Sequence, residues 1–447
     1  MLAIAPTTDR ERNEEGSGST ARSFLFLQGP IGLFFSRLAQ RLLDDGHEVH
    51  RINLHAGDRL FWRLPSAVDY RMGALKWPEF FSACLNQWRV TDLLLFGDCR
   101  PLHQAAIRIA AERDVRLHVF EEGYLRPHWI TMESGGVNAN SSLPRNPELY
   151  REAVRSTARW GGSTSVKYSF ARRASEDVLY HAAMVLAGSL YPGYRTHRPW
   201  PPYVEYAHAA GRFLRKPLAK RRLSHLVKNL ARDAQLYYLF PLQLNADVQI
   251  RQHFSSGRME SAIEQVIASF ARCAPKNTML VLTEHPLETG VIDLKRFARR
   301  CGEAHGVASR LLCLEGGSPR ELVRGCRGMI TVNSTMGPVA MECGVPVVAL
   351  GRALYSMPGL TFQGALDDFW RDAAPADPDL FDAFRRVVAA RTQIPGGFYS
   401  ASAIELAVRG AAHRLEHFAA QAPPAQIVPQ PRDPDFDFPN GLHPITQ

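Results

Sequence analysis

The feature that most constrains the fold is a repeated alternation of short apolar runs with amphipathic segments. Within Ser23–Leu54 an apolar run, SFLFLQ, meets Gly29-Pro30. Apolar residues then recur at helical spacing through Leu43, and a second apolar run follows Gly46 at Val49–Leu54. This spacing predicts strand, glycine turn, helix, strand. The pattern returns at Asp92–Asp98 (strand), Pro101–Arg113 (helix) and Arg116–Glu122 (strand). Strands joined by one helix within about thirty residues form a βαβ unit, which makes them parallel and sends their carboxyl ends to one edge. Asp98 and the Glu121-Glu122 pair are therefore expected at the same crevice.

A second series begins near Gln235. Strands are expected at Tyr237–Leu244, Met279–His285, Arg310–Gly316, Gly328–Thr335 and Gly344–Gly351, with helices at Glu260–Arg272, Leu294–Arg300 and Pro319–Cys326. The fold class expected is α/β, two Rossmann-like domains facing a cleft. The divisions are a tail at 1–20, a first domain at 21–135, an insertion or interdomain segment at 136–234, a second domain at 235–385, a helical segment at 386–420 and a Pro/Asp-rich tail at 421–447. A chain of 447 residues has room for two such cores.

Charge narrows the partners. With 53 Lys+Arg against 44 Asp+Glu the formal net charge is +9, which favours anionic ligands and surfaces. Between Tyr206 and Arg232 there are eight Lys/Arg and no Asp or Glu, with Phe213, Leu214, Leu218, Leu223 and Leu226 interleaved. Such a stretch suits an anionic membrane surface, and equally a solvated basic helix. No recognised nucleic-acid motif accompanies it. The seven cysteines are widely spaced without a CxxC pair and read as free thiols of a reducing compartment. The first twenty residues lack the apolar stretch of a signal peptide, and no run of about 18 apolar residues follows, so membrane contact is expected to be peripheral. P-loop, GxSxG and HExxH motifs are absent, and DxD matches at Asp377–Asp379 and Asp433–Asp435 carry proline between the acids.

Three places carry candidate chemistry. At Glu121-Glu122-Gly123 a turn begun by the glycine can swing one carboxylate into the crevice as base or nucleophile toward a sugar carbon. A helix cap or plain surface turn would use the same residues. Asp98, at the neighbouring strand end, is the candidate second acid. His285-Pro286 ends a strand of the second half, where the imidazole could donate to a phosphate oxygen. Asn333-Ser334-Thr335 precedes a helix-like segment, offering either a phosphate cradle or an ordinary N-cap. Gln28-Gly29 could face the cleft from the first half, but GxGxxG spacing is missing, so a dinucleotide site is not supported. Arg100 and Arg126 could meet a carboxylate or phosphate bidentately, or form structural ion pairs.

The blocks LQGPIGLFF, LLLFGDCRPLH, FEEGYLRP, YYLFPLQLNADVQIR, EHPLETG, TVNSTMGPVAMECGVPVVALGRALYSMPGLTFQGALDDFW and TQIPGGFYS run in order from Leu27 to Ser400. Together they resemble the capsule polysaccharide biosynthesis/export proteins of the KpsS/LipB group. The resemblance implies a GT-B-like, retaining β-Kdo glycosyltransferase, cytoplasmic and peripheral on the inner membrane. It implies CMP-β-Kdo as donor substrate, lysophosphatidylglycerol as acceptor, partners in a capsule biosynthesis/export complex, no nucleic acid, no further cofactor and no metal. By the same resemblance Glu121 or Glu122 is the catalytic carboxylate, while His285, Ser334 and Thr335 hold the CMP phosphate; Pro286, of the HP motif, and Asn333 are candidates for the same donor site. Related enzymes often show Asp where this chain has Glu-Glu, so which glutamate reacts stays open at this point.

Overall fold

The computed structural model describes residues 21–157, 169–196, 203–208, 236–244, 257–285, 290–315 and 319–418, with 166, 200, 201 and 288 singly. The basic stretch, apart from Tyr206–His208, lies outside the described residues, as do Pro286 and both tails.

The first half is built on seven strands: β1 (Ser23–Phe26), β2 (Glu48–Asn53), β3 (Ala67–Asp69), β4 (Asp92–Phe96), β5 (Arg116–Glu122), β6 (Trp129–Ser134) and β12 (Gln393–Pro395), in the order β12-β6-β5-β4-β1-β2-β3. β1 to β5 are parallel; β6 runs antiparallel to β5, and β12 antiparallel to β6. β1 is buried at all four positions, as expected of a parallel strand covered on both faces. Helices α1 (Phe34–Asp44), α2 (Ala56–Phe61), α3 (Trp77–Gln87) and α4 (Pro101–Ala111) connect them. On α1 the residues Phe34, Phe35, Leu38, Ala39 and Leu42 face inward at helical spacing, and Gly46 closes it at φ +87°, the left-handed conformation that glycine adopts without strain. α5 (Pro147–Ala153) and α6 (Phe170–Leu186) follow.

The second sheet, all parallel, has the order β11-β10-β7-β8-β9, from β7 (Tyr237–Pro241), β8 (Met279–Thr283), β9 (Leu311–Leu314), β10 (Gly328–Thr331) and β11 (Val347–Ala349). Its helices are α7 (Met259–Cys273), α8 (Leu294–Ala304), α9 (Pro319–Gly325), α10 (Met336–Glu342) and α11 (Leu366–Asp372). The α/β class and the two facing sheets agree with the expectation from sequence.

The C-terminal segment differs from it. α12 (Pro378–Thr392) bridges the halves, β12 joins the edge of the first sheet, and α13 (Ala401–Phe418) packs along α1. Residues 393–418, within the segment expected to be helical, thus pack on the first sheet and α1, and Phe398 stacks edge-on against Phe34 at 5.1 Å. Three-residue strands such as β3 and β12 are too short to show a period of two, so they were not anticipated.

In both sheets the chain reverses its direction of travel, at β1 in the first and β7 in the second. Ligand crevices of open α/β sheets form outside the carboxyl ends at such points. The crevices here are bounded by Gln28 and Gly97-Asp98 in one half and by Gln243 and Asn333-Ser334 in the other. Among the described residues no helix is long and apolar enough to cross a membrane.

Candidate functional site

The acidic pair sits where β5 ends. Glu121 Oε1 accepts the Glu122 backbone N–H at 3.0 Å, and its other oxygen lies beside Gly97 at the end of β4. Glu122, pointing to the opposite face, accepts the Tyr399 hydroxyl at 3.2 Å. Gly123 is required by close approach, since any side chain there would collide with the Trp129 carbonyl of β6. Gln393, from β12, receives the N–H groups of Tyr124 (2.9 Å) and Leu125 (3.4 Å) on its amide oxygen and so pins the turn after the acids.

Across the gap, His285 follows β8. Burial pushes its imidazole down to about 4, helped by the guanidinium groups of Arg126 and Arg173, so the ring is neutral at physiological pH. Arg173, from α6, stacks 4.5 Å over the Tyr399 ring. Tyr399 and Arg173 thereby connect the Glu122 carboxylate to the His285 side of the cleft. Arg126 donates to the Gly123 carbonyl at 3.3 Å. Asn333 is held by a reciprocal amide pair with Gln243: Asn333 Oδ1 accepts at 2.8 Å and its backbone N–H donates at 3.1 Å, which ties β10 to β7 at the point of reversal. Ser334 Oγ caps the Met336 N–H at 3.2 Å and retains its own proton for donation. The Tyr355 hydroxyl donates to the Ser334 carbonyl at 2.6 Å. Thr335 and Asn333 line a small, partly open cavity together with Tyr124, Leu125 and Asn138 of the first half and Arg352 and Tyr355 of the second.

Other candidates lie apart. Gln28 is buried, with its amide nitrogen 2.7 Å from His55 Nε2 and 3.0 Å from the Tyr180 hydroxyl, and Gly29 packs beneath Phe35. Both serve the interior of the first half rather than the cavity. Asp98, buried, accepts from the Val137 N–H and the Asn140 amide, each at 3.0 Å. Its carboxylate is a latch on the loop that carries Asn138. Arg100 turns from Asp98 toward the Arg51–His55–Tyr180 cluster. Sequence reasoning missed Arg173, Tyr399 and Gln243; the blocks TQIPGGFYS and YYLFPLQLN contained the last two, without a pattern that assigned them a role.

Beneath the turn, Glu133 receives the Tyr124 hydroxyl at 2.6 Å and is also bonded by Ser141. Burial raises its carboxyl to about 7, and the Asp98 charge adds to the effect against the hydrogen bonds that oppose it. A folded pKa above the ordinary 4.5 means that this stabilisation is complete below about pH 4.5 and lost as pH rises through about 7. The difference corresponds to roughly 3 kcal/mol. Glu133→Gln should therefore flatten the denaturation free energy between those pH values; an unchanged slope in urea titrations at several pH values would contradict it.

A family model described as capsule polysaccharide biosynthesis protein matches residues 91–399. The capsule polysaccharide export protein KpsS of Escherichia coli is 34% identical over 381 residues, covering 85% of this chain and 97% of that relative. The capsule polysaccharide modification protein LipB of Neisseria meningitidis serogroup B is 34% identical over 399 residues, covering 85% and 92%. Among solved structures, the beta Kdo 2,7 transferase KpsC of Thermosulfurimonas dismutans aligns at a TM-score of 0.40 and 13% identity over 89% of this chain and 99% of that one. With the family match spanning most of the chain and the relatives matched almost end to end, the chain belongs to the capsule polysaccharide biosynthesis protein family.

Proposed function

We propose that the chain is a retaining glycosyltransferase that moves Kdo from CMP-β-Kdo to a lysophosphatidylglycerol anchor, starting the poly-Kdo linker of a capsular polysaccharide. The donor and acceptor follow from the family resemblance. The observation that carries the chemistry is the arrangement of Glu122, Tyr399 and Arg173 opposite His285, with Asn333 and Thr335 in the adjoining cavity.

In the first step a Glu122 oxygen attacks the anomeric carbon as the bond from that carbon to the phosphate oxygen breaks, and CMP leaves with the electron pair. The neutral His285 ring donates its N–H to the departing phosphate, while Arg126, Arg173 and the Ser334 and Thr335 hydroxyls balance its charge. In the second step the acceptor hydroxyl attacks the same carbon, loses its proton to Glu121, and releases Glu122. Two inversions retain configuration. A monophosphate leaving group of this kind needs no metal, so chelator should leave the rate unchanged. The enzyme would work at the cytoplasmic face of the inner membrane, within a capsule assembly complex. The test is release of CMP with a CMP-Kdo generating system and lysophosphatidylglycerol, with the product mass read directly. A product carrying a different ulosonic acid would revise the donor, and folded protein yielding neither CMP nor glycolipid would remove the proposal.

His285→Ala should lower kcat/KM roughly 10–150-fold, the value of one hydrogen bond to a charged group. Because the buried His285 imidazole titrates at about 4 before substrate binds, kcat/KM should show no inflection near pH 6.5 from this residue. An inflection there that vanishes in the variant would contradict the assignment.

A further inference from the structure

α6 is an inverted amphipathic helix. Its inner side is polar: Glu176, Tyr180 and His181 are buried, the Tyr180 hydroxyl donates to Asp58 of α2 at 3.0 Å, and Arg172 pairs with Glu176 at 2.8 Å. Its outer side is apolar. Val178, Leu179 and Val185 are half exposed and Leu186 is 85% exposed. Together with Ala171, Ser175 and Ala182 they form one helical stripe without a charge. A water-facing helix normally carries the reverse pattern. The stripe continues into Leu190, half exposed, and the adjoining chain is seated on the first half, where Arg71 lies 5.8 Å from the Tyr191 ring and Gly193 abuts the Met72 carbonyl. Beyond Met72, Leu75 is 98% exposed. Exposed apolar side chains gathered on one helix face in this way mark a contact face.

We propose that the outer face of α6, with Leu190 and Leu75, inserts into the surface of an anionic phospholipid bilayer. Three observations select a bilayer over a protein partner. Tyr203, exposed, lies on the same short helical segment as Tyr206, and Trp200, also exposed, precedes it; both carry ring types that favour the interface between headgroups and acyl chains. Tyr206, whose hydroxyl donates to Asp177 of α6 at 2.5 Å, opens the stretch whose eight Lys/Arg lack any acidic counterpart. Apolar insertion combined with a polybasic segment supplies the two signals that hold a peripheral protein on anionic lipid. Finally, Arg173 at the cleft and Leu186 lie on the same helix about 20 Å apart along its axis, which would bring the cleft to the bilayer surface where a lipid acceptor's headgroup is presented.

The inference draws its purpose from the lipid-acceptor reading, but its test involves no transfer reaction. The full chain is sedimented with vesicles of phosphatidylethanolamine and phosphatidylglycerol, and with vesicles of phosphatidylcholine alone. Wild type should bind the first and largely ignore the second. Leu179→Ser/Leu186→Ser should weaken binding about tenfold or more at unchanged thermal stability, since neither side chain is in a core. Leu179→Phe/Leu186→Phe should strengthen it, which keeps the question decidable if the serine variant folds poorly. Binding that is indifferent to all four changes would overturn the proposal. So would a wild-type dimer that the serine variant converts to monomer without loss of vesicle binding, because a second copy would then be the occupant.

Discussion

Glu122→Gln should reduce glycolipid formation by about 10³-fold or more while leaving the protein folded, because it removes the nucleophilic carboxylate, the one enzyme group in the scheme that bonds to the sugar. Folding should survive because glutamine keeps an oxygen for the Tyr399 hydroxyl, and Glu122 is only partly buried. Glu121→Gln separates the two carboxylates. Glu121 is fastened to the Glu122 N–H and rests beside Gly97, a geometry suited to a fixed base rather than to a group that must approach and leave a carbon. Its loss should slow the second displacement more than the first, so that the Glu121→Gln enzyme, given donor, accumulates a mass increment of one sugar on Glu122. An adduct mapped to Glu121 in the Glu122→Gln enzyme would exchange the roles. Unchanged capsule formation in cells carrying either variant, with the protein folded and membrane-associated, would point to a non-catalytic scaffold.

The parts of this arrangement that could be read in the sequence are those carried by local pattern. Apolar runs such as SFLF and DLLLF disclosed the central strands, and Gly123 behind two glutamates marked a turn at a strand end. What escaped is what depends on distant partners. Asp98 stands at the end of β4 as the pattern predicts, but its hydrogen-bond partners, Val137 and Asn140, come from some forty residues away and have no local signal. Gln28 occupies a crevice position by topology and is drawn inside by His55 and Tyr180. Arg173 lies in a segment whose periodicity gave no hint of the cleft, and it reaches Tyr399 only because β12 returns the chain to the first sheet. Periodicity locates strand ends; whether a side chain there faces a ligand or the interior is decided by tertiary packing.

Asp92→Asn should cost about 3–5 kcal/mol of folding stability, the usual consequence of removing one member of a buried ion cluster and leaving the others unpaired. Asp92 is fully buried at the start of β4 and gathers Arg22, Arg116 and His118 around its two oxygens, with the Thr91 hydroxyl at 2.7 Å. Arg22 also reaches the Leu415 carbonyl of α13 at 2.7 Å, so the cluster couples β1, β4 and β5 to the returning C-terminal helix. Burial opposes the charge on Asp92, but these donors outweigh it and hold the carboxyl far below its ordinary range. With a depressed folded pKa, the contribution is present above the unfolded value near 3.8 and is lost as pH falls below it. Wild type should therefore lose stability on acidification in a window that Asp92→Asn lacks. Because Asp92 and the Gly97 turn stand at opposite ends of the same strand, the variant should be thermolabile yet retain near-normal kcat per folded molecule at low temperature. Denaturant titration gives the first quantity and active-site-normalised turnover the second. A large fall in kcat at full folding would show that the two ends of β4 are not separable, and that the ion cluster also positions the acids at its far edge.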